Sequence, residues 1–547
     1  MSINIKHFFT LYFYTIIVRY SRLITFMNST IIKSILKSTI VVSLMTSISR
    51  ILGLVRDVVF ASHFGAGGVM DAFVVAFKIP NFLRRLFAEG AFAQAFVPVL
   101  SEKRANGEQH EVRQLTDAVA GTLGSVLLLI TILGVVGAPV LIMVFAPGFS
   151  TGVDGRAELA TEMLRITFPY LLLISLTAFA GGILNTYGKF AIPAFTPVFL
   201  NISLIAAAIW ISPLMDVPIT ALAWGVLAGG VVQLAFQIPA LLKIGMLPRP
   251  RFSWHDSGVR KILHLMLPTL FGASVAQINL LLDLVIASLI TVGSMSWLYY
   301  SDRLMEFPLG VFGIALSTVI LPKLSSQFAT EDHSGFNGTL DWALRLVLLI
   351  ALPASAGLFM LAEPMLILLF QRGEFTQFDV EMASISLMAY SLGLVGFILV
   401  KVLVSGYFSQ QNTRTPVKFG VIAMAVNMVL NLLFVWILIS QQYAAPHAGL
   451  ALATAASSLL NATLLYRGLR KRGIYTPLTG WSKLVIQIGG ALLMMALFIF
   501  WISPPTEFWQ ATALWPRIAM LSAEIIGAGA LYFATLYLLG LRPSTLR

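Results

Sequence analysis

The chain has 547 residues, of which 58% are hydrophobic and only 11% charged, with a net charge of +12 and no cysteine. Soluble domains run to roughly 45–50% apolar and about 25% charged residues. This composition therefore excludes an ordinary soluble enzyme and predicts an all-α polytopic membrane protein, whose helices satisfy their own backbone hydrogen bonds in lipid. Without cysteine there are no disulfides, thiolate metal sites or cysteine nucleophiles. The positive charge is read as cationic cytoplasmic connections, with no nucleic-acid partner.

Residues 1–34 place Lys6, Arg19 and Arg22 around a short aromatic stretch, HFFTLYFYTII. It is too short for a span and lacks a cleavage site. The segment reads as an N-terminal extension, with residues 1–26 dispensable and Met27 a more natural start. Crossing ~30 Å of hydrocarbon takes about 20 apolar residues. Fourteen runs qualify: 37–62, 69–100, 116–146, 157–186, 191–212, 217–245, 260–291, 295–327, 338–370, 378–410, 415–440, 446–468, 481–503 and 516–540. Even-numbered connections hold most of the Lys and Arg, among them Lys103, Arg104, Arg113, Arg249, Arg251, Lys323, Arg414, Lys418, Arg470, Lys471 and Arg472. Both termini are accordingly predicted to be cytoplasmic.

Two halves resemble each other. Span 2 ends in FVPVLSE and span 8 in ILPKLSS; NTYGKFAIPAF links spans 4 and 5 as QQNTRTPVKF links spans 10 and 11. Pro98 and Pro322, like Pro193 and Pro416, stand at nearly one offset. A duplicated six-span unit is implied. Because six is even, the repeats run parallel about an axis along the membrane normal, and ligand binds between them near the midplane. The expected division is an N-lobe over 35–246 (spans 1–6), a C-lobe over 247–472 (spans 7–12), and spans 13 and 14 over 473–547. No connection is long enough for an enzyme domain.

Charge inside the spans is the richest signal. Arg50 and Arg56 lie in span 1, Lys78, Arg84 and Arg85 in span 2, and Arg303 in span 8. A guanidinium at mid-bilayer costs at least ~2.5–3.5 kcal/mol, so an anion in a cavity is expected. Ser49 shares a helical stripe with Arg56. Asp71, Lys78 and Arg85 recur every seven residues, with Pro80 expected to kink the helix between them. Local pairing competes with ligand binding: Arg303 with Glu306 at i,i+3, and Arg85 with Glu89 at i,i+4. The six cations face Asp57, Asp71, Glu89, Asp302 and Glu306, so the set is nearly neutral. Asp71 is read either as a latch for an arginine of the other half or as a plain helix N-terminal carboxylate.

RILGLVRD, then DAFVVAFKIPNFLRRLFAEGAFAQAFVP, then SWLYYSDRLMEFPLGVFGIAL, resemble the MurJ (MviN) family of lipid II flippases, within the multidrug/oligosaccharidyl-lipid/polysaccharide exporter superfamily. The resemblance covers roughly residue 33 to the C-terminus. It implies a bacterial inner-membrane protein, not an enzyme. Such a protein moves undecaprenyl-diphosphate-linked disaccharide-pentapeptide to the periplasmic leaflet by alternating access, amid membrane lipid and beside cell-wall synthesis proteins. By motif, it implies that Arg50, Arg56, Arg84, Arg303 and Ser49 bind substrate and that Asp71, Glu89 and Lys78 serve gating or salt bridges. Guanidinium suits a diphosphate because it donates bidentate, charge-assisted hydrogen bonds. Spans 13 and 14 would form a groove for the prenyl tail.

No organic cofactor is expected. Asp283 in span 7, Asn427 and Asn431 in span 11 and Thr454 in span 12 form an oxygen cluster expected to hold Na⁺ or a proton. The alternative there is plain interhelical hydrogen bonding. Membrane potential is a further source of drive, at about 2.3 kcal/mol per charge per 100 mV. Competing functions are a flippase for another polyprenyl-linked glycan, a multidrug cation antiporter, which favours cavity carboxylates, and a membrane glycosyltransferase, which needs a larger loop.

Overall fold

The computed structural model describes residues 30–85, 92–107, 109–150 and 154–542. The described residues are helical, without strand. Eleven of their helices are long and apolar enough to cross a membrane. The three other expected spans are also helical: span 1 is Thr30–Phe64, span 2 begins as Gly68–Arg84 and ends as Ala93–Asn106, and span 7 is Ser257–Ser288. Residues 1–29 of the expected extension lie outside the described residues.

The repeat is visible in the helix boundaries. Span 3 (Gln109–Val136) and span 9 (His333–Met360) are each 28 residues long. Each is followed by a short helix, Ala138–Phe145 and Ala362–Phe370, that the apolar pattern had merged into the span. The break after span 3 has a local cause. Gly137 ends the first helix and Pro139 opens the second, where a missing N–H costs no hydrogen bond. Span 4 is likewise divided, into Arg156–Thr167 and Tyr170–Thr186, with Pro169 between.

Pro80 behaves otherwise: the helix continues through it. A proline leaves the carbonyl four residues back without its helical donor, here Ala76. That oxygen instead accepts from the Thr167 hydroxyl at 2.9 Å. The neighbouring helix supplies the missing bond.

A strap joins the lobes. Along residues 249–253 the amides of Arg249 and Arg251 donate to the Asp117 carboxylate (2.7 Å) and carbonyl (2.9 Å) on span 3, and the Ser253 amide to Thr122 Oγ1 at 3.3 Å. Asp256 then caps span 7, accepting from Gly258 and Val259. The first turns of span 7 pack on spans 2 and 3 of the N-lobe, and its later part on span 11 (Arg414–Ser440). Gly121 lets the strap lie flat, since a Cβ there would collide with the Arg251 backbone. Spans 13 (Trp481–Ile502) and 14 (Leu514–Leu538) pack on each other and reach the C-lobe through span 9 and Ala362–Phe370.

Gly121→Val is expected to destabilise the detergent-solubilised protein by ~1–3 kcal/mol, the range for overpacking. The readout is a lowered melting temperature; an unchanged one would show that the strap is not held this closely.

Candidate ligand cavity and its charged joints

Spans 1 and 8 run antiparallel across the lobe boundary, and their register brings the expected charges together. Span 8 consists of Ser294–Pro308, a wide π-type turn at Leu309–Gly313, and Ile314–Ala329. Asp57, 1% exposed, is the centre of the joint. Its Oδ1 accepts from Arg56 Nε (2.9 Å) and Nη2 (2.7 Å) and from the Tyr299 hydroxyl (2.7 Å). Its Oδ2 stands 3.0 Å from Arg303 Nε, an ion-pair separation without hydrogen-bond alignment. Arg303 also meets Glu306 at 3.1 Å.

Arg56 is therefore heavily committed. Its Nη1 donates to Asn201 Oδ1 at 3.1 Å, and Nη2 also donates to Tyr299 at 3.1 Å. Four of the five guanidinium N–H groups are engaged, and the residue is 4% exposed. In this conformation the guanidinium expected from the motif to bind substrate is engaged by protein partners. Ser49 contributes its carbonyl to the same joint, accepting from Asn201 Nδ2 at 3.0 Å. Arg303 differs, because a third of its side chain remains exposed.

Arg50 lies two turns along span 1 from the joint, is exposed, and presses its guanidinium against Gly310. Any side chain at Gly310 would displace it. The π-type turn, a feature common at functional sites, sets that glycine at the seam. On span 2, Arg84 is half-buried and donates to Asn81 Oδ1 at 2.7 Å, while Arg85 is exposed. Lys78 lies within electrostatic reach of Asp302 and Asp283 of the other lobe. Glu89 lies outside the described residues.

Asp71, 1% exposed, does not pair with an arginine in this conformation. Instead it caps a helix of the other lobe. Its carboxylate accepts from the Gly293 amide (2.7 Å), the Ser296 amide (2.9 Å) and the Ser296 hydroxyl (2.6 Å). That helix start has no side-chain cap of its own, so a carboxylate from across the boundary satisfies its orphan donors and favours its dipole by about 0.3–2 kcal/mol.

The same end carries further cross-lobe bonds: Tyr300 hydroxyl to Gly65 carbonyl (3.2 Å), Glu374 amide to Ser62 carbonyl (3.1 Å), and Gly148 amide to Ser288 Oγ (3.1 Å). Behind Ser296, Trp297 donates to Asp379 at 2.8 Å and packs at a tilt against the His447 ring, centroids 4.8 Å apart. At the opposite end, the last part of span 8 packs on spans 9 and 10 of its own lobe.

The expected oxygen cluster is assembled. Asn431 Nδ2 donates to Asp283 Oδ1 (2.6 Å) and to Asn427 Oδ1 (3.0 Å); Asn427 Nδ2 reaches Thr454 Oγ1 (3.4 Å) and Ser457 Oγ (3.3 Å). Asn431 Oδ1 is buried without a partner among the described residues. One carboxylate amid amides and hydroxyls suits a monovalent cation or a proton. Among the described residues no group of three or more His, Cys, Asp or Glu forms a site for a metal ion.

Asp57 as the hub, Tyr299, Asn201, Gly310 and Ser296 were missed by sequence reasoning. The available signal was register: Asp57 with Arg303 and Arg50 with Gly310 follow from one antiparallel alignment of spans 1 and 8.

A polytopic helical bundle with charged residues paired between its halves is the architecture of a membrane transporter. The chain belongs to the lipid II flippase MurJ family, whose family model matches residues 60–519. It is 50% identical over 527 residues to a probable lipid II flippase MurJ of Vibrio cholerae, covering 95% of this chain and 98% of that one. With the lipid II flippase MurJ of Burkholderia cenocepacia it shares 40% over 521 residues, covering 94% and 99%. Among solved structures it is similar to a lipid II flippase MurJ in an inward closed conformation, with TM-score 0.75 and 29% identity, covering 91% of this chain and all of that one. An inward-facing multidrug resistance MATE transporter, at TM-score 0.63 and 15% identity over 79% and 97%, shares the fold.

Two outcomes test these joints. Asp57→Ala strands buried Arg56 and should cost about 3–5 kcal/mol, seen as a marked fall in melting temperature; an unchanged melt would remove Asp57 from the centre of the joint. Asp71→Ala should open the latched end. In this cysteine-free chain, spin labels on Val69→Cys and Val292→Cys, both exposed positions, should report a longer distance in that variant; identical distributions would contradict the latch.

Proposed function

We propose that this chain moves lipid II, an undecaprenyl diphosphate bearing disaccharide-pentapeptide, from the cytoplasmic to the periplasmic leaflet of the bacterial inner membrane, without covalent chemistry. The observation that carries the reading is the set of arginines at the seam of spans 1 and 8 (Arg50, Arg56 and Arg303), in a chain that the MurJ family model matches over residues 60–519. The cationic even-numbered connections support cytoplasmic termini, and on that reading the latched Asp71 end faces the periplasm.

Arg50, Arg84 and Arg303 bind the diphosphate, and Arg56 with Ser49 holds the seam to which they are attached. A diphosphate drawn toward Arg303 competes with Asp57 and Glu306 for its guanidinium. Substrate binding thereby loosens the joint between spans 1 and 8, the lobes rock, and the Asp71 latch is released. Spans 13 and 14 carry the prenyl tail along an apolar outer surface that exposes Leu493, Phe500, Ile526 and Phe533. Asp283, Asn427, Asn431 and Thr454 bind Na⁺ or a proton, and Lys78, within reach of Asp283, links that site to span 2. Membrane potential acts on the same charges. A cation antiporter is not favoured, because the family model and the curated relatives are lipid II flippases.

Depletion complementation with a leaflet-accessibility assay for lipid II tests the reading. Alanine at Arg50, Arg84 or Arg303 should lower flipping at least ~10-fold, about 1.4 kcal/mol of lost interaction. Normal flipping by all three, at wild-type protein levels, would contradict it. Asp283→Asn should abolish any dependence of the rate on Na⁺ or pH; an unchanged response would remove the cation site.

A further inference from the structure

A second polar cavity, of about 440 Å³, lies far from the seam, between the turn joining spans 8 and 9, the turn joining spans 10 and 11, and the linker after span 12. Its polar lining comes from His333, Ser334, Asn337, Gln410, Arg472 and Thr476, and Phe328 and Phe336 give it an apolar flank. We propose that it binds a phosphate-bearing anion.

The walls are built rather than loose. Asn337 and Thr476 exchange two hydrogen bonds, side-chain amide to carbonyl at 2.9 Å and backbone amide to side-chain oxygen at 2.8 Å. One turn further, buried Asp341 accepts from the Tyr475 hydroxyl (2.7 Å), the Trp481 indole (2.8 Å) and the Leu478 amide (3.1 Å), and Arg345 closes the same cluster at 2.6 Å. The linker is thus pinned to the start of span 9.

The cationic side is equally fixed, yet has donors to spare. Arg472 Nη2 donates to Thr415 Oγ1 at 2.9 Å, and the guanidinium lies over the Tyr407 ring at 5.9 Å. Its Nε and Nη1 engage no described residue, and neither ring nitrogen of His333 does. Oδ1 of the nearby Asp332 carboxylate is held by the Gly335 amide (2.8 Å) and the Ser334 hydroxyl (2.9 Å) at the start of span 9. The surrounding span ends add Lys323, Arg414, Arg470 and Lys471. A preoriented guanidinium with free donors, an imidazole and the second amide hydrogens of Asn337 and Gln410 match phosphate oxygens. The apolar flank fits an ester substituent.

The ligand is either the headgroup of an anionic phospholipid or a soluble phosphate compound. In both cases it ties the end of span 8, the helix of Arg303, to the linker of spans 13 and 14. The site is independent of the proposed transport function.

The test uses the full chain in neutral detergent. Inorganic phosphate is titrated against chloride at constant ionic strength, with melting temperature as the readout. A saturable rise of ~2–4 °C is expected, the scale of stabilisation by a ligand well above its Kd. It should vanish in Arg472→Gln and in Ser334→Asp, an exposed change that adds repulsion without touching the core, and persist in Arg50→Gln. No rise in the wild type, an undiminished rise in Ser334→Asp, or loss of the rise in Arg50→Gln would each overturn the proposal. Repeating the titration in nanodiscs separates the sources. A rise seen in phosphatidylcholine and absent in phosphatidylglycerol supports a lipid headgroup; one kept in both supports a soluble phosphate compound.

Discussion

Asp57 is the constraint on which the rest depends. Two guanidiniums at membrane depth cannot shed their charge, and a lone one there is costly. One carboxylate, buried at 1% exposure, faces both, with Tyr299 and Asn201 completing the hydrogen bonds of Arg56. The pair of arginines is thereby tolerated, and span 1 of one lobe is held to span 8 of the other. The other contacts between spans 1, 2 and 8 lie along that seam: Arg50 against Gly310 on one side, and the Asp71 cap of the span 8 N-terminus on the other.

The two joints differ in kind, which suits a molecule that must alternate. The Asp71 joint joins a carboxylate to backbone amides and one hydroxyl, and it is local to one end. The Asp57 joint is ionic and lies deeper, with Arg303 still a third exposed. Arg303 therefore keeps an exposed face that Arg56, with four hydrogen bonds, does not. Buried ion pairs are weak sources of stability but strong sources of register, and here the register is what places the arginines.

The helical class and the repeat were legible because each rests on a local signal repeated many times: apolar runs of spanning length, and prolines at nearly one offset. The broken ends of spans 3, 4 and 9 were less legible, since a short apolar helix after Gly137 or Leu361 looks like more of the same run. The site divided along similar lines. The Arg303–Glu306 pair follows from helical spacing and is present at 3.1 Å. Arg56 with Asp57 does not follow from it: adjacent residues on a helix face different ways, and only the length of the arginine stem brings them together. The partner of Asp71 could not be read at all, because backbone amides at a distant helix start leave no mark in residue identity. The oxygen cluster was legible from polar residues at four-residue spacing on span 11, and its members do meet.

We propose a division of labour among the arginines of spans 1 and 2: buried Arg56 holds the seam, and exposed Arg50 and half-buried Arg84 bind the ligand. Its most direct measurement is lipid II affinity and melting temperature, taken side by side on the purified glutamine variants of Arg50, Arg56 and Arg84. The account predicts that Arg50→Gln and Arg84→Gln lose affinity with melting unchanged, while Arg56→Gln loses stability first. An Arg56→Gln protein that melts like the wild type, yet binds as poorly as the other two, would contradict it.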